Sequence, residues 1–237
     1  MDALALKRRL LSVAGERYRS SGRFAYHFAR GKLSSDPVYT AILALGLLAD
    51  KARILDLGCG QGVLAAWLLA AEESRAAGAW CPAWAPPPAG WRFHGVERMS
   101  RDVERAHRAL GDRVAVQLGD IRSAAFGEAD AVIILDVLHY MDREAQEAVL
   151  RRVRAALSAG GLLLLRVGDA AGGLPFSISN WVDQIVLLLR GRGLVQLHSR
   201  PIPDWIEMLE RIGFQTKAMP MSADTPFANV LLVARPQ

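Results

Sequence analysis

Residues 54 to 62 read Ile54-Leu55-Asp56-Leu57-Gly58-Cys59-Gly60-Gln61-Gly62, and the apolar run Val63-Leu64-Ala65-Ala66 follows at once. An isoleucine- and leucine-rich run that gives way to three glycines and then to helix formers reads as strand, tight turn and helix. Glycines at positions 58, 60 and 62 remove side chains where the backbone must reverse and where a ligand must approach it closely. The spacing narrows the choice of ligand. A dinucleotide-binding turn spaces its glycines G-x-G-x-x-G, whereas the third glycine here comes one residue early, and no G-K-[S/T] follows to make a phosphate-binding loop. The turn calls for a nucleotide-like ligand and disfavours pyrophosphate.

From residue 50 onward the chain alternates short apolar strands with longer amphipathic patterns, the signature of a parallel sheet covered by helices on both faces. Strands are expected at Arg53 to Leu57, Arg92 to Glu97, Val114 to Asp120, Ala131 to Leu138 and Leu162 to Val167. Two more follow at Phe214 to Met219 and Asn229 to Ala234. The last two are joined by a proline-containing turn and no helix, so they pair antiparallel. Helices are expected at Gly62 to Ala71, Ser100 to Leu110, Asp142 to Ser158 and Pro203 to Ile212, with Gly111 and Gly213 as left-handed stops. Three segments stand outside the alternation. Residues 1–50 form a helical amino-terminal cap or lid, and residues 72–91, with Cys81-Pro82 and Pro86-Pro87-Pro88, form an extended surface loop. Residues 170–202 form a second cap insertion, and the core spans 51–237.

A chain of 237 residues with 51% hydrophobic and 22% charged residues suits one folded core. The net charge of +5 raises nucleic acid, anionic surfaces and acidic carriers as partners. In the run Arg101 to Arg108 the basic residues are interleaved with acids, so most of this charge reads as solvated helix surface. Cys59 and Cys81 lack metal-ligand spacing, which points to a reducing compartment. Lys7, Arg8 and Arg9 interrupt any signal-peptide core, and no segment reaches the roughly 18 apolar residues that span a bilayer. The expectation is a soluble cytoplasmic protein.

The acid-then-G-x-G-x-G motif at the end of a first strand resembles that of class I S-adenosylmethionine-dependent methyltransferases, over about residues 50 to 237. The resemblance implies a Rossmann-like α/β fold with a seven-stranded, mostly parallel sheet of order 3-2-1-4-5-7-6. It also implies S-adenosylmethionine as donor and S-adenosylhomocysteine as product. In Gly95-Val96-Glu97-Arg98-Met99, Glu97 stands where the family places the acid that accepts both ribose hydroxyls, flanked by Arg98 and Met99. Asp120 and Ile121 inherit the adenine-amine and adenine-ring positions. Asp136 and Val137, ending the fourth strand, lie below the methionine portion. Asp56, Gly58, Cys59, Gly60 and Gly62 complete the donor-binding set.

An oxygen or activated-carbon acceptor must lose a proton, and imidazole is the natural acceptor near neutral pH. His139 is the first choice, with Tyr140 lining the same cavity; the alternative for His139 is packing against Met141. The five histidines show no HxH or HxxxH spacing, and no metal is expected. Asp136 to Tyr140 contains no proline, unlike the Asp/Asn-Pro-Pro-aromatic motif of exocyclic-amine methylation, which argues against that transfer to nucleobases. Tyr18, Tyr26, His27 and Arg30 in the amino-terminal segment, with Asn180 and Trp181 in the later insertion, are candidate substrate contacts, although plain helix packing explains the aromatics too. This segment also looks like that of methyltransferases accompanying bacterial aryl-polyene and related pigment-lipid pathways. The implied substrate is a small phenolic or acyl-type molecule, either free or on an acyl carrier protein. An RNA methyltransferase and a non-catalytic donor-binding protein remain open alternatives; a nicotinamide oxidoreductase conflicts with the glycine spacing. Oligomeric state is not legible.

Overall fold

In the computed structural model, which describes residues 1–169, 197–221 and 229–237, the chain begins with three helices. These are α1 (Ala3–Glu16), α2 (Arg23–Ser35) and α3 (Pro37–Ala44). Asp2 caps α1 by accepting the Ala5 N–H at 2.8 Å, and Asp36 caps α3 by accepting the Val38 N–H at 3.1 Å ahead of Pro37. There follow β1 (Arg53–Leu57), α4 (Val63–Ala76), β2 (Arg92–Glu97), α5 (Ser100–Leu110) and β3 (Ala115–Leu118). These elements belong to the first of two units, Met1–Ala124; the second is Ala125–Gln237.

Within the first unit β1, β2 and β3 pair in parallel, so that Leu57 stands beside Val96 and Glu97 beside Leu118. Every residue of α4 from Val63 to Ala71 is buried. A helix that is apolar all round needs cover on all sides. The amino-terminal helices supply part of it: α1 packs on α4 through a face that includes Leu6, Leu10 and Ala14, and the Trp67 indole N–H donates to the Tyr39 carbonyl of α3 at 2.9 Å. Helix α4 runs past the expected Ala71 to Ala76, because Glu72 and Glu73 on its last turns pair with Arg113 and Arg17. The proline-rich loop is correspondingly shorter than expected.

The second unit holds β4 (Ala129–Leu135), α6 (Arg143–Ala156), β5 (Leu157–Gly168), α7 (Ile202–Arg211), β6 (Phe214–Pro220) and β7 (Asn229–Pro236). Strands β4 and β5 are parallel, while β5 with β7 and β6 with β7 are antiparallel. The strand order is β3-β2-β1-β4-β5-β7-β6, the order and mostly parallel sense that the sequence resemblance implies. Gly213, after α7, has φ +93° as a helix stop requires. No helix among the described residues is long and apolar enough to cross a membrane.

Other boundaries depart from expectation as well, three of them for a local reason. Strand β3 stops at Leu118, two residues before Asp120, because the Asp120 carboxylate turns back to accept the Arg122 N–H at 2.9 Å. The helix-to-strand transition after α6 comes early, since Leu157 is already extended and registers with Ala129. Strand β4 ends at Leu135 and not Leu138, because Asp136 takes a left-handed backbone (φ +59°) and its carboxylate pairs with Arg166 of β5. Arg166 is 1% exposed, so its guanidinium requires a counter-charge. Asp136→Ala is expected to lower unfolding free energy by roughly 2 to 4 kcal/mol in urea titration, because it takes the carboxylate from a buried cation. A loss within about 0.5 kcal/mol would show the pair to be dispensable.

Candidate functional site

The glycine turn is left-handed at each glycine: φ is +79° at Gly58, +57° at Gly60 and +75° at Gly62. Its ends are tied down. The N–H groups of Gly58 and Cys59 donate to the Val96 carbonyl at 2.8 and 3.3 Å, and the Gly62 N–H closes the turn on the Cys59 carbonyl at 3.0 Å. Glu97, at the tip of β2, accepts the Gly60 N–H on Oε2 at 3.0 Å and the Met99 N–H on Oε1 at 2.7 Å. One carboxylate thus holds the turn and the start of α5 together, and each of its oxygens retains acceptor capacity. Above Gly60, a Cβ would meet nothing within 4 Å, whereas at Gly95 it would strike the Cys59 sulfur at 2.6 Å. Gly95 therefore makes room for the turn itself, and Gly60 leaves its outer face open.

The electrostatics are those of a site short of positive charge. Asp56 is buried, and desolvation together with the nearby Glu97 raises its pKa to about 8. Burial also raises the Cys59 thiol, with Asp56 and Glu97 adding to the effect, so this cysteine is no thiolate nucleophile. Asp120 behaves oppositely. Arg122 grips it with Nη2 at 2.6 Å from Oδ2 and draws its pKa down to about 2. Buried acids without a cationic partner among the described residues, Asp56 and Glu97, suit a ligand that brings its own positive charge, and an open glycine turn beside a rigid carboxylate suits a ribose. These residues fit an adenosyl sulfonium donor.

Of the residues expected to bind the donor, Asp56, Gly58, Cys59, Gly60, Gly62, Glu97 and Met99 come together around the ends of β1 and β2. Asp120 and Ile121 follow β3 nearby, where the Gly119 N–H donates to the Glu97 carbonyl at 2.9 Å. Ile121 is buried and Arg98 exposed. The amino-terminal residues are placed differently from one another. Tyr18 is wholly buried, and its hydroxyl donates to the Gln61 carbonyl at 2.9 Å. Tyr26 lies between the guanidinium groups of Arg19 and Arg30, at 5.0 and 5.4 Å from its ring, and exposed His27 meets it edge-on. The Arg30 stem lies against Gly15, packing α2 on α1. Asn180 and Trp181 lie outside the described residues.

Asp136, Val137, His139 and Tyr140 belong to the second unit. His139 and Tyr140 sit on a 3-10 turn, Leu138–Tyr140, with rings 4.1 Å apart. Sequence reasoning missed the residue that organises this turn. The Gln146 amide, on α6, donates to the carbonyls of Leu138, Met141 and His198 at 3.2, 3.1 and 2.6 Å, and its oxygen accepts Arg200 Nε at 2.7 Å. The His198 N–H in turn donates to the His139 carbonyl at 2.8 Å. Gln61 and Arg166 were missed as well. Arg166, the one charge in the run Leu162 to Val167, was a visible signal; Gln61 and Gln146 gave none, since a glutamine in a turn or on a helix reads as solvated.

Comparison with known proteins places this geometry. The chain belongs to the methyltransferase domain family, whose model matches residues 27–218, and its fold is that of the class I S-adenosylmethionine-dependent methyltransferases. It is 31% identical over 142 residues to a carboxy-S-adenosyl-L-methionine synthase of Chromohalobacter salexigens, covering 55% of this chain and 47% of that one. The chain spans about half the length of the curated relatives it matches. Among solved structures, the mitomycin 7-O-methyltransferase superposes with a TM-score of 0.61 at 22% identity, over 97% of this chain and 68% of that one. The magnesium protoporphyrin IX methyltransferase of Synechocystis PCC 6803, with bound S-adenosylhomocysteine, gives 0.59 at 18% identity, over 99% and 100%.

The raised pKa of Asp56 has a consequence for stability. An unfolded aspartate releases its proton near pH 4, but the folded one keeps it to about 8. The stabilisation linked to this proton is complete below about pH 4 and is lost as pH rises toward 8. Asp56→Asn, neutral throughout, should flatten the decline in unfolding free energy over that interval by a few kcal/mol, on the order of 1.4 for each pH unit. An unchanged slope in denaturant titrations from pH 4.5 to 8.5 would mean that Asp56 ionises normally.

Proposed function

We propose that this protein transfers a methyl group from S-adenosylmethionine to a small organic acceptor, of aromatic, phenolic or acyl type. The observation that carries the reading is the Glu97 carboxylate, held at both oxygens by the N–H groups of Gly60 and Met99 beside a turn open at Gly60. A carboxylate so fixed can accept two neighbouring hydroxyls without ordering itself first, which is preorganisation for a ribose. The donor supplies a methyl carbon already activated by sulfonium, so the protein's work is binding, alignment and proton removal. In this reading Glu97 binds the ribose, Asp120 the adenine amine and Ile121 the ring face. Asp56 gives up its proton when the donor's cationic portion binds beside it, and Asp136, held by Arg166, borders the methionine portion. His139 takes the acceptor's proton, Tyr140 borders the acceptor, and Tyr26, His27 and Arg30 belong to the lid. Arg30 suits a carboxylate or phosphate on the acceptor or on an acyl carrier that delivers it.

A second reading has its own support. The matched relatives are named carboxy-S-adenosyl-L-methionine synthases, which makes the donor itself a possible substrate for modification. The two readings part at the product. Methyl transfer yields S-adenosylhomocysteine and an acceptor heavier by one methylene, whereas donor modification replaces a hydrogen of the donor with a carboxyl group supplied by a co-substrate and yields a donor heavier by one CO2 unit. Mass spectrometry of the reacted donor pool separates them.

Calorimetric titration with S-adenosylmethionine should show one site per chain, weakened about 100-fold by Glu97→Ala through the loss of two charge-assisted hydrogen bonds. No heat of binding to the pure wild-type protein ends both readings. RNA binding that falls steeply with salt would favour a nucleic-acid acceptor instead.

A further inference from the structure

Tyr18 and Gln61 connect the amino-terminal helices to the glycine turn. Tyr18 stands where α1 gives way to a 3-10 turn, Arg19–Ser21, before α2 begins. Its ring is wholly buried, and its hydroxyl donates to the Gln61 main-chain carbonyl at 2.9 Å. Gln61, 1% exposed, answers with its side chain: Nε2 donates to the Ala25 carbonyl of α2 at 2.9 Å. Residue 61 is thus held at its main chain from one side of the α1–α2 junction and at its side chain from the other. The same junction is fastened to α5, where the Ser21 hydroxyl donates to the Arg105 carbonyl at 3.0 Å.

Residue 61 lies between two left-handed glycines, Gly60 and Gly62. Glycine restricts its own backbone least of all residues, so a turn built from it keeps its shape only if held from outside. Tyr18 fixes the plane of the Gln61–Gly62 peptide, whose N–H closes the turn on Cys59. The preceding residue, Gly60, points its N–H at Glu97. Burial keeps the Tyr18 phenol protonated, its pKa raised far above the ordinary tyrosine value, so it remains a donor at any working pH. Gln61 Oε1 is buried with no hydrogen-bonding partner among the described residues.

We infer that Tyr18 and Gln61 are positioning residues for donor binding: the amino-terminal helices reach the glycine turn through them and set its shape for the ligand. The inference rests on the reading of that turn as an S-adenosylmethionine site. Tyr18, a candidate substrate contact on sequence grounds, thereby acts on the donor from behind the turn.

The test uses the full chain. Tyr18→Phe removes one hydroxyl and keeps the ring, and Gln61→Leu breaks the bond to Ala25 while leaving the main-chain carbonyl in place. Each should weaken both S-adenosylmethionine and S-adenosylhomocysteine about tenfold in calorimetry. Each should also speed hydrogen exchange of the Gly62 amide in the donor-free protein. Val149→Ala, in the buried face of α6, should lower the melting temperature without moving either dissociation constant. Wild-type donor affinity in both variants, with only the melting temperature reduced, would make the contacts purely structural and overturn the inference. So would an equal loss of affinity in Val149→Ala. If the wild type binds no donor, the functional reading fails and the inference falls with it, whereas donor binding by the wild type that both variants retain overturns the inference alone.

Discussion

Glu97 is the constraint on which the first unit depends. Its two oxygens each accept a backbone N–H, one from the glycine turn and one from the residue that leads into α5. These bonds are charge-assisted and lie in a buried setting, where they are stronger than their surface equivalents. They also explain why a buried carboxylate is tolerated beside Asp56. Backbone dipoles solvate Glu97, and Asp56, which lacks that help, responds by holding its proton to about pH 8. The arrangement stores a negative potential that a cationic ligand would relieve.

The amino-terminal helices answer a second constraint, set by α4. A helix buried on every side cannot be covered by a sheet alone, and α1 and α3 supply the missing surface. Cover of this kind brings Tyr18 and Ala25 to the glycine turn as a geometric consequence. In the proposed reading, the contacts that pack these helices are also the ones that reach the glycine turn. Tyr18 and Arg30 are engaged in packing; His27 is exposed, and the face of Tyr26 is occupied by guanidinium groups.

In the second unit, polar side chains inside an apolar framework do the organising. Arg166 and Asp136 settle where β4 ends, and Gln146 gathers three carbonyls around the turn that carries His139 and Tyr140. The His139 carbonyl accepts the His198 N–H, which gives this turn a defined backbone position.

Much of this was legible in the residues themselves. The strand-glycine-helix pattern around Asp56 to Gly62 and the alternation of periods made the strands, the turn and the helices legible, because backbone freedom and side-chain alternation are properties of short segments, while the sheet order followed from the family resemblance that those residues carry. Tertiary structure alone decided that Tyr18 lies behind the turn, that Gln61 and Gln146 are buried, and that Asp136 answers Arg166. Each of these depends on a partner 30 or more residues away or, for Gln146 with Leu138 and Met141, on which face of a helix turns inward. A polar side chain carries no mark in sequence of whether water or a distant carbonyl will satisfy it. That is settled only when the chain closes around it.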